Sequence, residues 1–520
     1  MTLDDSANPP VHGAAPASAN LFDLLCQSIA DPGATAIETP DGARIDYADL
    51  IARTGRMTHA LVALGVTPGD RVAVQVEKSV QAIILYLATL RAGAVFLPLN
   101  TGYTPAEIDY FIGDASPRLF VCDPARAEAL APIAESAGAR LMTLDAEGRG
   151  SLTLAAATAP EAFATVPRAT GDLAALLYTS GTTGRSKGAM LSHGNLVSNT
   201  LALRDAWRFG PQDVLIHALP IFHTHGLFVA TNVALFSGAA MIFLPKFDAR
   251  QIMALLGRAT VLMGVPTFYV RLLQEPGLDA QAVAGMRLFV SGSAPLLAET
   301  HREWQARTGH AILERYGMTE TNMNTSNPYD GDRIAGTVGM PLPGVELIVT
   351  DPETGAELPQ GQIGMIEVRG PNVFQGYWQM PEKTAAELRA NGFFITGDLG
   401  KIDDRGYVQI VGRGKDLIIT GGYNVYPKEI ETEIDVLPGV TESAVIGLPH
   451  RDFGEAVTAV VVPSGPGAPD EAQVIAALES RLARFKQPKR VLFLPELPRN
   501  TMGKVQKNLL RDQFAALYAD

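Results

Sequence analysis

Hydroxyl side chains, glycines and one lysine are concentrated in the stretch Tyr178–Gly188, which reads YTSGTTGRSKG. It follows an apolar run, Leu173–Leu177, that is typical of a buried strand. Glycine lets a backbone approach an anion closely, and successive N–H groups can then surround phosphate oxygens. We therefore predict a nucleotide-phosphate loop; the alternative is a polar linker with turn glycines. The candidate phosphate-binding residues are Thr179, Ser180, Gly181, Thr182, Thr183, Gly184 and Lys187.

A second stretch, Arg315–Glu320 (RYGMTE), combines side chains that suit a nucleotide and its metal ion. Tyr316 offers an aromatic face to a base, and Thr319 can hydrogen-bond a phosphate or a carboxylate. Glu320 is a hard oxygen ligand of the kind that magnesium binds, and magnesium neutralises the charge of a triphosphate. These residues predict an ATP site that uses Mg2+; the alternative is a solvated loop.

Two histidines, His223 and His225, lie in a turn between Pro220 and Gly226, ahead of an apolar run. A single histidine is most often a hydrogen-bonded neighbour of the core, but a pair in such a turn favours a functional site. No other His or Cys cluster in the sequence completes a zinc site. The turn Ser291–Pro295 (SGSAP) has the small residues found where a backbone approaches a ligand, or in an ordinary strand-to-helix turn.

The passage YTSGTTGRSKGAMLSH resembles the signature of the adenylate-forming family, which comprises acyl-CoA synthetases, peptide-synthetase adenylation domains and luciferases. The resemblance extends from the region of Asn20 to the C-terminus. It implies that Asp398, in FITGD, holds both ribose hydroxyls and that Lys504, Thr319 and Glu320 are catalytic, with Glu320 as the Mg2+ ligand. Besides the phosphate loop, the ATP- and AMP-binding residues implied are Ser293, Ala294, Pro295, Glu314, Arg315, Tyr316, Gly317, Met318, Thr319, Asp398 and Arg413.

The same resemblance implies a smaller C-terminal domain that turns on a hinge at residues 413–416. Lys415 matches the hinge position, where many relatives carry Asp. Gly421 and Gly422 are implied to let the pantetheine arm of CoA approach; an ordinary turn is the alternative. Lys504 lies in a loop that we predict to be exposed, so its acylation by a modifying enzyme is expected to stop the first half-reaction.

A carboxylate is a poor electrophile, and joining it to AMP supplies a leaving group. The expected first step converts a carboxylate and ATP into an acyl-AMP and pyrophosphate, mainly by positioning and charge stabilisation. The CoA thiolate then takes the acyl group and AMP leaves. ATP and CoA are thus the expected co-substrates.

The acid is indicated by a resemblance to bacterial malonyl-CoA synthetases in PIFHTHGLFVATNVALF, MRLFVSGSAPLL and RYGMTETNMNTSNPYDGDR. A dicarboxylate needs a cation for its distal carboxylate, and we predict Arg287, which precedes the Ser291–Pro295 turn, with His223 as a second partner. Ser291 is the third acid-site candidate. We expect Arg287→Ala to abolish malonate use; the alternative is a surface arginine that begins a strand. Methylmalonate differs by one methyl group and is a plausible further substrate.

The elements that would position these groups alternate between strand and helix patterns, beginning with a helix at Asn20–Ala30 and a strand at Ala34–Glu38. This alternation predicts an α/β fold with a largely parallel sheet. With the resemblance, we expect a large N-terminal domain of two α/β sheets and a β-rich subdomain, followed by a small mobile α+β domain. The predicted divisions are a disordered tail at 1–19, an adenylation domain at 20–412, the hinge, and the mobile domain at 417–520.

Composition excludes some functions. The net charge of −13 argues against nucleic-acid binding. The longest apolar stretch, Ala82–Leu99, is interrupted by polar residues and predicts a buried helix and strand instead of a membrane span. Two cysteines, Cys26 and Cys122, and no targeting segment fit a cytoplasmic protein.

Three other functions stay open at this point. The same fold could use acetate or an aryl acid, or it could be a stand-alone adenylation domain that loads a carrier protein. A catalytically silent nucleotide sensor is the third, although Lys187, Glu320, Asp398, Arg413 and Lys504 are all present.

Overall fold

The computed structural model describes residues 18–179, 186–420, 423–479, 481–500 and 503–518. Several predicted features lie outside the described residues: positions 1–17 of the tail, Ser180, Gly181, Thr182, Thr183, Gly184, Gly421 and Gly422. Ser18 and Ala19 were also assigned to a disordered tail, and this is wrong, because the Ala19 N–H donates to the Arg168 carbonyl at 2.8 Å. Among the described helices, none has the length and apolar character needed to cross a membrane.

Twenty-four strands lie within the described residues. In chain order they are β1 (Thr35–Glu38), β2 (Arg44–Asp46), β3 (Arg71–Gln75), β4 (Val95–Pro98), β5 (Leu119–Cys122), β6 (Arg140–Thr143), β7 (Leu173–Thr179), β8 (Lys187–Ser192), β9 (Val214–His217), β10 (Ala240–Phe243), β11 (Val261–Gly264), β12 (Leu288–Ser291), β13 (Leu313–Met318), β14 (Asn322–Ser326), β15 (Met340–Pro341), β16 (Glu346–Thr350), β17 (Gly364–Arg369), β18 (Phe394–Ile402), β19 (Val408–Arg413), β20 (Ile418–Thr420), β21 (Tyr423–Val425), β22 (Val440–His450), β23 (Gly454–Pro463) and β24 (Arg490–Phe493).

The same described ranges contain fifteen α-helices. They are α1 (Leu21–Ser28), α2 (Tyr47–Ala63), α3 (Val80–Arg91), α4 (Pro105–Ala115), α5 (Ala127–Ser136), α6 (Ser151–Ala156), α7 (His193–Ala206), α8 (Asn232–Phe236), α9 (Ala249–Leu255), α10 (Pro266–Leu273), α11 (Ala298–Thr308), α12 (Pro381–Glu387), α13 (Pro427–Asp435), α14 (Glu471–Glu479) and α15 (Lys507–Phe514).

Four sheets organise the chain. A nine-stranded sheet has the order β15-β14-β13-β12-β11-β9-β10-β1-β2, and a six-stranded sheet has the order β6-β5-β3-β4-β7-β8. Strands β16 to β19 form an antiparallel sheet, and β20 to β24 form the sheet of the C-terminal region. The predicted α/β class with a β-rich subdomain and a small C-terminal unit is confirmed.

Parallel pairing places the functional segments together. Strands β9, β11, β12 and β13 pair in parallel, so their carboxyl ends lie at one edge of the large sheet. Open α/β sheets bind ligands beyond the carboxyl ends of their strands. The turns after these strands therefore form the predicted location of a site.

Most early elements agree with the sequence pattern, because their apolar faces repeat with the period of a helix or strand. The helix at α4 was missed although its start is marked in the sequence. Thr104 caps it in a capping box with Glu107, and Pro105 occupies the first helical position.

Candidate active site

Arg315 is a buried cation near the carboxyl end of the large sheet. Arg315 is 3 % exposed, and its Nε and Nη2 atoms have no hydrogen-bond partner among the described residues. A Cβ atom built on Gly292 would lie 2.3 Å from Arg315 Cζ, so the guanidinium packs against the backbone that follows β12. Burial lowers the pKa of Arg315 to about 9. A buried guanidinium with free donors is suited to an anionic ligand.

Polar atoms of two neighbouring turns lie in the same region as this guanidinium, since its charge acts on His223 and His225. The buried Ser291 Oγ, Thr224 Oγ1 and His225 Nε2 have no hydrogen-bond partner within the part of the chain that the structure describes. Ser293 holds the ring of His225, with 3.2 Å between its Oγ and His225 Nδ1. These atoms and Arg315 form what we call the acid pocket: Thr224, His225, Ser291 and Arg315, with His223 at its edge.

His223 is half-buried, and its Nδ1 accepts the His225 N–H at 3.3 Å. Burial, assisted by the positive charges of Arg315 and Lys504, lowers the pKa of His223 to about 4. His223 is therefore neutral near pH 7 and can serve as a hydrogen-bonding group. Its electrostatic coupling to Arg315 and Lys504 places three predicted site residues in one region.

Arg287, predicted to bind the distal carboxylate, is placed elsewhere, and that prediction is wrong. It precedes β12 at the amino end of the strand, whereas Ser291 ends it. Its Nε and Nη2 atoms each lie 2.7 Å from a carboxylate oxygen of Asp213, which is 1 % exposed, and Nη1 donates to the Trp207 carbonyl. The guanidinium fork is already occupied, so Arg287 is a structural ion pair.

The predicted ribose carboxylate lies in a compact charged group. Asp398 in β18 accepts a hydrogen bond from Tyr316 Oη at 2.6 Å and pairs with Arg413 Nε at 2.7 Å. The charge of Asp398 is the main reason that the pKa of Arg413 is raised. The three residues come from three strands, and only the antiparallel pairing of β18 with β19 and the approach of β13 bring them together.

The N–H groups of Gly503 and Lys504 are both held by Asn500. The Lys504 N–H donates to Asn500 Oδ1 at 2.9 Å, and Arg499 donates to both the Gly503 carbonyl and Glu442. Gly503 lies against Thr267 of α10, with 3.5 Å from an added Cβ to the nearest carbon. The expectation of an exposed Lys504 is wrong in this arrangement: the residue is half-buried, and burial lowers the pKa of its amine to about 8, with Arg413 adding to the shift.

Lys187, at the start of β8, contacts Glu387 and the ring of Tyr377, and Tyr377 also contacts Glu320. Its Nζ lies 3.3 Å from Glu387 and 4.2 Å from the centre of the Tyr377 ring. Tyr377 Oη lies 2.6 Å from Glu387 and 3.1 Å from Glu320. Burial raises the pKa of Glu320. Glu387 and Tyr377 carry no motif that the sequence reasoning could use, and they were missed.

The remaining candidates occupy the surrounding turns. Ser293 has a positive φ of 72° in the turn that contains Ala294 and Pro295, and Glu314 accepts the Leu296 N–H at 3.1 Å. Burial raises the pKa of Glu314 to about 8. The other candidates are Thr179 at the end of β7, Gly317 and Met318 in β13, Thr319 beside Glu320, and Lys415 in the short turn Gly414–Asp416.

Comparison with known proteins agrees with this geometry. The AMP-binding enzyme family matches residues 27–378, and the AMP-binding enzyme C-terminal domain matches residues 429–504. The chain belongs to the AMP-binding enzyme family. A malonate–CoA ligase from Arabidopsis thaliana is 35% identical over 490 residues, covering 88% of this chain and 80% of the relative. A feruloyl-CoA synthase from an Amycolatopsis species is 36% identical over 488 residues, covering 93% of this chain and 96% of the relative.

Among solved structures, MatB from Rhodopseudomonas palustris is 67% identical, with 96% of this AMP-binding enzyme and 100% of MatB covered. Its ATP-bound crystal structure superposes with a TM-score of 0.95, whereas its apo structure gives 0.85. The arrangement described here is therefore closer to the ATP-bound form of that relative. The contact of Gly503 with Thr267 belongs to this arrangement.

Proposed function

We propose that this AMP-binding enzyme is an ATP-dependent malonate–CoA ligase, an AMP-forming acid–thiol ligase that also accepts methylmalonate. The observation that carries the proposal is the unpaired, buried guanidinium of Arg315 in the acid pocket. The one carboxylate of a monocarboxylic acid is adenylated, so it cannot also pair with Arg315. The guanidinium would then stay buried without a counter-charge, which is unfavourable in free energy. The 67% identity to MatB and the malonate–CoA ligase relatives support the same acid.

In the pocket, Arg315 would bind the distal carboxylate, with Ser291 and His225 as hydrogen-bonding neighbours and His223 at the rim. A guanidinium matches a carboxylate bidentately, and both of its unpartnered nitrogens, Nε and Nη2, are free to donate. The reacting carboxylate would then face Lys504, whose positive charge helps to lower the pKa of His223.

In the first step, the reacting carboxylate attacks the α-phosphorus of ATP and pyrophosphate leaves. Lys504 would stabilise the charge that develops between the carboxylate and the α-phosphate, and Lys187 would hold the leaving phosphates. Asp398 and Arg413 would bind the ribose, and Tyr316 would face the base. The roles of Thr319 and of the phosphate-loop residues are carried over from the family pattern.

The residues present fit a magnesium ion. Glu320 is a buried carboxylate that lies 3.1 Å from Tyr377 Oη, and burial raises its pKa in spite of the nearby charges of Lys187 and Arg413. Magnesium typically takes one or two protein carboxylates together with phosphate oxygens and waters. We propose that Glu320 holds Mg2+; when bound, the ion would neutralise phosphate charge.

In the second step, the CoA thiolate attacks the acyl carbon and AMP leaves. We propose that residues 413–416 form the hinge, with Lys415 at its centre, and that the segment with Gly421 and Gly422 then meets the pantetheine arm. The end of the β16–β19 sheet at Arg413 supports this position for the hinge. Acylation of Lys504 by a modifying enzyme stays a prediction, as do the domain limits.

The test is product analysis by mass spectrometry after incubation with Mg-ATP, CoA and, separately, malonate, methylmalonate, acetate or octanoate. Malonyl-CoA formed with an equal amount of AMP is the expected result. Acetyl- or octanoyl-CoA in place of malonyl-CoA would retain the reaction but remove the dicarboxylate assignment. Malonyl-AMP without a thioester would point to a carrier protein as the acceptor, and ATP binding without turnover would point to a sensor.

A further inference from the structure

A second buried basic residue, Lys78, contacts His217 and takes no part in the steps above. Lys78 follows β3, immediately before the Ser79 cap of α3, and is 8 % exposed. Its Nζ lies 2.8 Å from His217 Nδ1, 2.7 Å from the His217 carbonyl oxygen and 4.3 Å from the centre of the Phe243 ring. All of these partners are neutral, and burial lowers the pKa of the Lys78 amine well below its usual range.

His217, the last residue of β9, connects Lys78 to the segment that begins with His225. It is 1 % exposed, and its Nε2 lies 2.9 Å from the Gly226 carbonyl oxygen and 3.0 Å from Thr231 Oγ1. A carbonyl oxygen only accepts, so Nε2 carries the hydrogen and Nδ1 presents its lone pair to Lys78. Lys78 therefore selects one tautomer of His217.

The Gly226 carbonyl that His217 binds belongs to a π-helix, His225–Thr231. Short π-helical turns are uncommon and are found mostly at functional sites. The same carbonyl accepts the Thr231 hydroxyl at 2.9 Å, and a Cβ on Gly226 would lie 2.0 Å from the Pro220 carbonyl oxygen. A side chain that enters a helical ladder in this way stabilises the wider turn.

This helix begins with the residues that form one wall of the acid pocket. His225 is its first residue, Thr224 precedes it, and the Leu227 N–H donates to the His223 carbonyl at 3.0 Å. A change in the π-turn would therefore move His223, Thr224 and His225 together. Displacements of about 1 Å in a positioned site are sufficient to reduce catalysis strongly.

We propose that Lys78 and His217 are positioning residues for the acid pocket, which hold the π-turn at the Gly226 carbonyl and thereby set the placement of the His223–His225 wall. The inference deepens the proposed function and rests on it only for the identity of the acid. It assigns neither residue a contact with the acid.

The kinetic test compares Lys78→Met with the wild-type enzyme, since methionine preserves most of the volume but removes the donor. We expect KM for malonate to rise about tenfold, because His223, Thr224 and His225 would lose their fixed placement, while KM for ATP changes less than about twofold. Thr231→Val removes the hydrogen bond from the Thr231 hydroxyl to the Gly226 carbonyl and should also raise KM for malonate. The double variant Lys78→Met/Thr231→Val should show a non-additive effect on this KM. Tyr86→Phe is the control, because it removes a buried hydrogen bond from α3 to Asn232 without touching Gly226.

Nitrogen NMR of histidine-labelled enzyme supplies a measurement that does not depend on the acid. The His217 signals, assigned by His217→Gln, should show a neutral ring with hydrogen on Nε2, and Lys78→Met should shift the Nδ1 signal. A ring with hydrogen on Nδ1, or equal changes in both KM values for Lys78→Met and Thr231→Val, would overturn the proposal. If the wild-type enzyme does not use malonate, the proposed function fails, and the same comparison is made with the acid that it does use.

Discussion

Two arginines at opposite ends of adjacent parallel strands differ in the feature that decides their role. Arg287, at the amino end of β12, is paired bidentately with the buried Asp213. Arg315, in β13 one residue beyond the partner of Ser291 at the carboxyl end of β12, is more deeply buried and leaves Nε and Nη2 without a partner among the described residues. A buried charge that has a partner is already compensated in the fold, whereas an unpaired buried charge gains a counter-charge only when a ligand binds. Pairing, more than nearness to a turn in the sequence, thus separates the structural arginine from the ligand-binding one.

The comparison is tested most strongly by removing the unpaired arginine. Arg315→Met should lower kcat/KM for malonate about a thousandfold, because the distal carboxylate would be buried without its cation. ATP binding, measured by equilibrium dialysis, should change little. Retention of wild-type malonate kinetics in this variant would contradict the assignment of the distal carboxylate to Arg315.

The next effect concerns Lys504, the cation on the other side of the acid pocket. Since its pKa is lowered to about 8 and its charged form is needed, pyrophosphate release at low malonate should fall about tenfold per pH unit above that value. Lys504→Arg keeps its charge throughout this range, so whatever activity it retains should not show the decline. A wild-type profile that stays level to high pH would exclude the charged amine as the essential form.

A smaller effect is expected from adding one methyl group beside Arg315. Gly292→Ala would place its Cβ 2.3 Å from Arg315 Cζ, so the guanidinium must move. We expect KM for malonate to rise about tenfold with KM for ATP unchanged, as for a weakened bidentate contact. Gly285→Ala is the matched control, because its nearest neighbour would lie at 3.8 Å. Equal effects of both substitutions would indicate a general disturbance of the strand ends.

The smallest catalytic effect is expected at Arg287. Arg287→Met should leave malonate kinetics within about twofold of wild type, but leaving Asp213 buried and unpaired should lower the free energy of unfolding by about 3 kcal/mol. Chemical denaturation measures the second quantity, and steady-state kinetics the first. Loss of malonate turnover in a stably folded Arg287→Met enzyme would restore the original sequence prediction.

The Asp213–Arg287 pair also predicts a pH dependence of stability. Burial acts to raise the pKa of Asp213, but hydrogen bonds from Arg287, the Gly210 N–H and Thr260 outweigh it, and the pKa is lowered. The pair's stabilisation is therefore complete above the unfolded pKa of about 4 and is lost as the pH falls through the lower folded value. The free energies of unfolding of the wild type and Asp213→Asn, measured by chemical denaturation, should converge as the pH is lowered through this window.

The local pattern of the chain determined much of the fold and of the nucleotide site. Apolar periodicity placed elements such as β3, α3 and β5 because each buries one face or a continuous core segment. Motif residues such as Tyr316, Asp398 and Arg413 were identified because their chemistry lies within short segments, and the structure brings them together. The family was evident from such segments alone.

Which arginine is free to bind an acid was decided only by the tertiary structure. Asp213 lies 74 positions before Arg287, and the turn that leaves Arg315 unpaired comes from another strand. Glu387 beside Lys187, and Lys78 beneath His217, are likewise contacts between segments 200 and 139 positions apart. The sequence specifies which groups carry charge, but burial and counter-charges depend on long-range packing, and these determine whether a charge stabilises the fold or awaits a ligand.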